Sequence, residues 1–172
     1  PAELVRDNSL AIADLLVNRV GGASVMPHQP HGYYDGLTKG YGPEYKPNND
    51  EHQFRRGIYS HWQRTFLHPM LKVFDAPGRD ECSASRPKSI TPLQALNLLN
   101  DPSSVEAAIS LAKVLVNEHP GDDSSRLNYA YLRALARKPK KDEVSNLLVF
   151  LAHERQRFGA NPESAQQLLN SY

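Results

Sequence analysis

The tetrapeptide Thr91-Pro92-Leu93-Gln94 dictates a helix start. A threonine cap accepts from the backbone N–H three residues on, proline suits the first helical position, and the glutamine side chain reaches back to the cap. Leu93, Leu96, Leu98 and Leu99 then predict a short, strongly apolar, buried helix. Similar starts recur downstream. Asn100-Asp101-Pro102 opens a helix with Val105, Ala108, Ile109, Ala112, Leu115 and Val116 on one face, closed by His119-Pro120-Gly121. Residues 122–124 open the next, with Leu127, Ala130, Tyr131, Ala134 and Leu135 inward. Pro139 starts another, whose Val144, Leu147, Leu148 and Leu151 form an i, i+3, i+4, i+7 stripe. Asn161-Pro162 caps a last helix holding Leu168 and Leu169. Residues 101–158 thus predict three short-looped, antiparallel helices.

The N-terminal half is less regular. Leu4 to Val20 predicts a helix with Val5, Ile12, Leu15 and Leu16 on its apolar face, Arg6, Asp7, Asp14 and Arg19 elsewhere, and Gly21-Gly22 as its stop. Residues 23–49, rich in proline, glycine and tyrosine, show no period and predict a long irregular loop over the helical body. Between Asp50 and Met70, Phe54, Ile58, Trp62 and Phe66 recur every fourth residue, which predicts an aromatic helix weakened at Gly57 and ended by Pro69. Leu71 to Phe74 reads as extended. The almost wholly polar stretch Asp75 to Lys88 predicts a partly buried irregular segment, with Asp75, Asp80 and Glu81 set against Arg79, Arg86 and Lys88.

With 172 residues, 40% of them hydrophobic, the chain can bury a core as one helical domain. Residues 1–90 would carry the first helix, the loops and the aromatic helix, and 91–172 the bundle. The expected fold is all-α, a bundle of about six to seven helices with one long loop and a polar central segment. A formal net charge of +1 argues against a nucleic-acid binder. No apolar run approaches a membrane span. A first residue of Pro1 reads as a processed or excised piece of a longer polypeptide.

Several side chains are candidates for chemistry. Asp75, Arg79, Cys82 and Arg86 could line a site in the central segment, where neighbouring cations would favour a Cys82 thiolate; a buried or partner-bonded thiol is the plainer reading. Tyr33, Tyr34, Tyr41 and Tyr45 could stack on sugar rings, or could simply anchor the long loop through ring packing and hydroxyl hydrogen bonds. His28 and His31, with Asp35 nearby, are the candidate metal ligands, short of the three or four that zinc requires. His52, His61 and His68 flank the aromatic segment as partners for a tyrosine or carboxylate, or as a base. Arg55-Arg56 and Lys138 to Lys141 read as solvated or ion-paired faces.

The runs RRGIYSHWQRT (55–65), FDAPGRDEC (74–82) and RPKSITPLQALNLLNDP (86–102) carry a family resemblance. So do PAELVRDNSLAIADLL at the start, GGASVMPHQPHGYYDGL after it and LNYAYLRALARKPKKDEVSNLLVFLAHERQRF near the end. The chain resembles the C-terminal domain of unknown function found in large planctomycete-type proteins, which commonly carry a cytochrome-c-like segment and a second uncharacterised domain upstream. Met26 and His28 stand where the family form has lysine and tyrosine, and Ser89-Ile90 where Thr-Asn is commoner. The resemblance implies a secreted or periplasmic, cell-envelope protein, with upstream domains of the same polypeptide as partners. Haem would sit on an upstream domain, with no cofactor in this chain. The context implied is redox chemistry or polysaccharide breakdown, with no catalytic residues assigned. The expected function is a structural and interaction module without catalysis of its own. The alternatives are part of a composite redox or polysaccharide-processing site, and a carbohydrate-binding module.

Overall fold

The structure, a computed structural model, describes residues 1–30, 32–33, 45–62, 67–78 and 82–170. Seven α-helices form among them: α1 (Ala2–Ile12), α2 (Pro69–Val73), α3 (Pro92–Asn100), α4 (Pro102–Glu118), α5 (Asp123–Leu135), α6 (Lys141–Ala160) and α7 (Pro162–Asn170). No strand forms there; Val17 with Arg55 and Val25 with Ser60 make isolated bridges. The fold is all-α, as the sequence predicts. The chain divides into two compact units, Pro1–Ala108 and Ile109–Tyr172, with the boundary inside α4.

In the first unit α1 is shorter than expected. It stops at Ile12 because Asp14 turns left-handed (φ 56). Leu15 N–H then reaches back to the Leu10 carbonyl at 2.9 Å and Asp14 N–H to the Ala11 carbonyl at 3.3 Å, the paired closure that glycine usually provides. Leu15 and Leu16 therefore lie outside the helix. Its buried face is Ala2, Arg6, Asp7, Leu10 and Ala13. That face has helical spacing, but Arg6 and Asp7, read as lying off the apolar face, sit within it.

The aromatic helix does not form over the described part of its span; Phe66 lies outside the described residues. Two 3-10 turns, Glu51–Phe54 and Gly57–Tyr59, replace it. Backbone bonds stitch them to the N-terminal loop: Val17 N–H to the Phe54 carbonyl (3.0 Å), Val25 N–H to the Tyr59 carbonyl (2.8 Å) and His61 N–H to the Val25 carbonyl (2.6 Å). Gly57 shows why an α-helix loses here. Its N–H donates to Asp7 Oδ1 at 2.5 Å, and a Cβ at this position would stand 2.8 Å from the Glu3 carbonyl oxygen. The i+4 aromatic pattern is overridden by close tertiary contact with α1.

Pro69 begins a helix instead of ending one, since the first helical position needs no N–H. Leu71 to Val73, expected to be extended, complete α2. Asp75 (φ 61) closes it as Asp14 closes α1, with Ala76 N–H on the Leu71 carbonyl at 3.0 Å and Asp75 N–H on the Lys72 carbonyl at 3.3 Å. Ala2, Leu67 and Leu71 pack together, with Trp62, Phe74 and Ala76 around them.

α3 starts as predicted. Thr91 Oγ1 accepts from Gln94 N–H at 3.3 Å, and Gln94 Oε1 accepts from Thr91 N–H at 3.1 Å. Its burial is the reverse of the expectation. Gln94 is its buried side chain, while Leu93, Leu96, Leu98 and Leu99 are 40–75% exposed. Gln94 Nε2 docks the helix by donating to the Val73 carbonyl (3.0 Å) and Ser89 Oγ (3.1 Å). α4 is capped by Asp101, whose Oδ1 accepts from Ser103 and Ser104 N–H at 3.0 and 3.3 Å. Ser103 and Ala107 are its buried positions, and Ala108 and Ala112, expected inward, are exposed. The buried face is thus turned from the most apolar one.

In the second unit, Asp122 Oδ1 caps α5 through Ser125 N–H (2.6 Å), and Ala136 closes it in the left-handed conformation (φ 53). Glu143 holds the start of α6, accepting from Lys140 N–H at 2.7 Å and from both Arg137 Nη atoms at 2.7 and 2.8 Å. α6 packs on α5 and on α7. The predicted stripe Val144, Leu147, Leu148 and Leu151 is half-buried, and no residue of α5, α6 or α7 is fully buried. Leu135, expected inward, is exposed at the C-terminal end of α5.

Candidate functional site

The central segment is held by two acceptors, Asp75 at its own start and Glu3 of α1. Asp75 takes Ser89 N–H at 2.7 Å on Oδ2 and the Ser89 hydroxyl at 2.8–2.9 Å. Glu3 takes Arg86 Nη1 at 2.8 and 3.0 Å. Of the acidic groups expected to pair with Arg86 in its own segment, Asp75 bonds Ser89 instead, and Asp80 and Glu81 lie outside the described residues. Two clefts flank the Asp75–Ser89 pair. One of ≈ 300 Å³ is lined by Val5, Phe74, Arg86, Lys88 and Gln94; the other, of ≈ 410 Å³, by Tyr33, Lys72, Val73, Thr91 and Leu93. The described residues 82–90 are exposed, not partly buried as expected. Two chain-distant contacts, at Asp75 and Glu3, hold them in place of a core.

The structure therefore brings Asp75 and Arg86 to one cleft. Cys82 is an exposed free thiol that lines neither cleft, and Arg79 lies outside the described residues. Among the tyrosines, Tyr33 donates to the Leu67 carbonyl at 3.5 Å and so ties the loop to the body, while Tyr45 donates to the Pro27 carbonyl at 2.6 Å and closes the loop on itself. Tyr34 and Tyr41 lie outside the described residues, as does His31. His28 is half-buried, with Nε2 3.2 Å from Asn49 Oδ1. Among the described residues no three His, Cys, Asp or Glu side chains gather as a metal site, and no helix is long and apolar enough to cross a membrane.

Four buried groups escaped the sequence reading. Arg6, 2% exposed, donates from Nη1 to the Arg55 carbonyl at 2.7 Å and from Nη2 to the Gln53 carbonyl. Burial pulls its pKa down, and Asp7, Asp101, Tyr45 and Glu106 pull the other way. Asp101 is 1% exposed, and burial raises its pKa against the N–H bonds of Ser104 and Ser103 and the charge of Arg6. His68, also buried, has its pKa pushed down to about 4 by desolvation, with Arg6 adding to the shift. Its Nε2 lies 3.0 Å from the His28 carbonyl, so it is a neutral donor there near neutral pH. The helical spacing Ala2, Arg6, Leu10, Ala13 is the signal that could have found Arg6 inside. The fourth is Arg55, 3% exposed, read from sequence as solvated or ion-paired. Arg56 beside it is ion-paired, with Nε 3.3 Å from Asp7 Oδ2.

These groups hold backbone to backbone. Ser89 gives its proton to a carboxylate and receives one from an amide, and no described histidine bonds either Ser89 or Asp75. The geometry shown is that of clamps.

No curated protein and no solved structure matches the chain. A family model does match, over residues 1–151, and its description is PSD1, protein of unknown function (DUF1553). That match spans most of the 172 residues, in both compact units. The chain belongs to the PSD1 (DUF1553) family of proteins of unknown function.

Proposed function

We propose that this chain is a helical interaction module that docks other domains of a large envelope polypeptide and has no catalysis of its own. The observation that carries this reading is the face of α3. Leu93, Leu96 and Leu99 recur at one-turn spacing and are 57%, 56% and 75% exposed, and Ile90 before them is fully exposed. No charged residue interrupts α3. A solvent-facing helix ordinarily alternates charges over such a surface. An uncharged apolar face suits permanent cover, and covering these side chains is worth on the order of 1 kcal/mol each. A domain of the same polypeptide is the occupant because tethering supplies a high effective concentration without a charged, steering surface. The envelope location and haem on an upstream domain are supported by the sequence resemblance.

The test supplies the remaining part of the parent polypeptide as a separate chain. Leu96→Ser with Leu99→Ser should leave this chain folded and abolish its co-purification with that part. Unchanged co-purification, a stable dimer of this chain through α3, or turnover of a defined substrate by the chain alone would each overturn the proposal.

A further inference from the structure

Arg55 and Arg6 are both buried, but their charges are balanced differently. A buried charge is costly unless paired. Arg6 has Asp7, Asp101 and Glu106 within electrostatic reach. Among the described residues no carboxylate pairs with Arg55. Its guanidinium donates to the carbonyls of Ala23 (2.9 Å), Arg19 (3.1 Å) and Gly21, and its Nε donates to nothing. The Tyr59 ring, with its centroid 4.0 Å from Cζ, covers one side. Carbonyl dipoles and a ring face solvate the cation without neutralising it.

A cavity of ≈ 290 Å³ lies against this arginine, lined also by Arg19, Ser24, Asn48 and His52, and none of its described lining residues is acidic. The available groups are mostly donors. Asn48 Oδ1 already accepts from Met26 N–H at 2.7 Å, leaving the amide NH₂ to donate. His52 Nδ1 is buried without a partner. The nearby carboxylate of Asp50 accepts from His52 N–H at 3.0 Å in the cap of the first 3-10 turn. We propose that this cavity binds a small oxyanion (a phosphate, sulfate or carboxylate group) as a counter-ion of Arg55, with Arg19 and His52 completing the site. Two cations, an imidazole and two neutral donors around a cavity near the lower end of small-ligand pockets fit such a group.

The experiment titrates the full chain with inorganic phosphate, sulfate and acetate against chloride at matched ionic strength, reading Tm and the Arg55 Nε–Hε NMR signal. At least one oxyanion should raise Tm saturably by several degrees and move the Arg55 signal. A response to phosphate or sulfate alone would assign a tetrahedral ligand, and one to acetate alone a carboxylate. Arg19→Gln, on an exposed loop, should leave the anion-free melt unchanged and weaken binding about tenfold. Arg55→Lys, where it folds, should abolish binding. Equal melts in all four salts with a fixed Arg55 signal would overturn the proposal, as would unchanged affinity in Arg19→Gln.

Discussion

Arg6 Nη1 reaches the backbone carbonyl of Arg55 at 2.7 Å, across 49 residues of sequence. With Nη2 on the Gln53 carbonyl, one guanidinium fixes the path of the first 3-10 turn against α1. Replacing Arg6 by methionine keeps much of the volume but leaves two buried carbonyls unpaired and Asp101 without its nearby cation. The expected loss is about 3–5 kcal/mol. Urea unfolding of Arg6→Met should show this as a fall in midpoint, or as failure to fold; a change under 1 kcal/mol would deny Arg6 its role.

His68 makes stability depend on pH in a defined window. Its folded pKa, about 4, lies below the ordinary 6.5. The unfolded chain therefore takes up the proton first as pH falls. The stabilisation is fully present above about 6.5 and is lost as pH falls through about 4. The shift corresponds to roughly 3 kcal/mol. His68→Gln should flatten the stability profile between pH 7 and 4; an equally steep profile would show that other groups set it.

α3 divides its residues by role. Gln94→Ala removes bonds to Thr91, Val73 and Ser89 and should cost about 1–3 kcal/mol. Leu99→Ala, on the exposed face, should change stability by no more than about 0.5 kcal/mol. Chemical denaturation of both variants checks the contrast, and a larger loss at Leu99 would reverse it.

Ala136 sits left-handed after α5. A glycine there has no Cβ penalty, so Ala136→Gly should stabilise the second unit by up to about 1 kcal/mol. A lower Tm would place Ala136 in an ordinary helical conformation.

How much the sequence disclosed follows from the range of the forces involved. The Thr91–Gln94 capping box, the Asp101 cap and the half-buried stripe of α6 are local, and all were legible. The early stop of α1 at Asp14 was not, because glycine is the expected signal and Gly21-Gly22 lay within reach. The aromatic helix failed because contact between Gly57 and Glu3 joins residues 54 apart, which no short window reports. At the candidate site, Asp75 and Arg86 were named from charge alone and do share a cleft. Their partners Ser89 and Glu3 were hidden by chain distance or by neutrality. Arg55 looked like an ordinary surface cation because a charge buried on backbone carbonyls leaves no pattern in sequence.

The measurement that bears most directly on docking is hydrogen exchange at α3, in this chain alone and joined to the upstream domains proposed as its partners. Cover over Leu93, Leu96 and Leu99 should slow exchange of the α3 amides at least tenfold in the joined form, with α5 as an internal control. Equal exchange in both forms would contradict docking through this face.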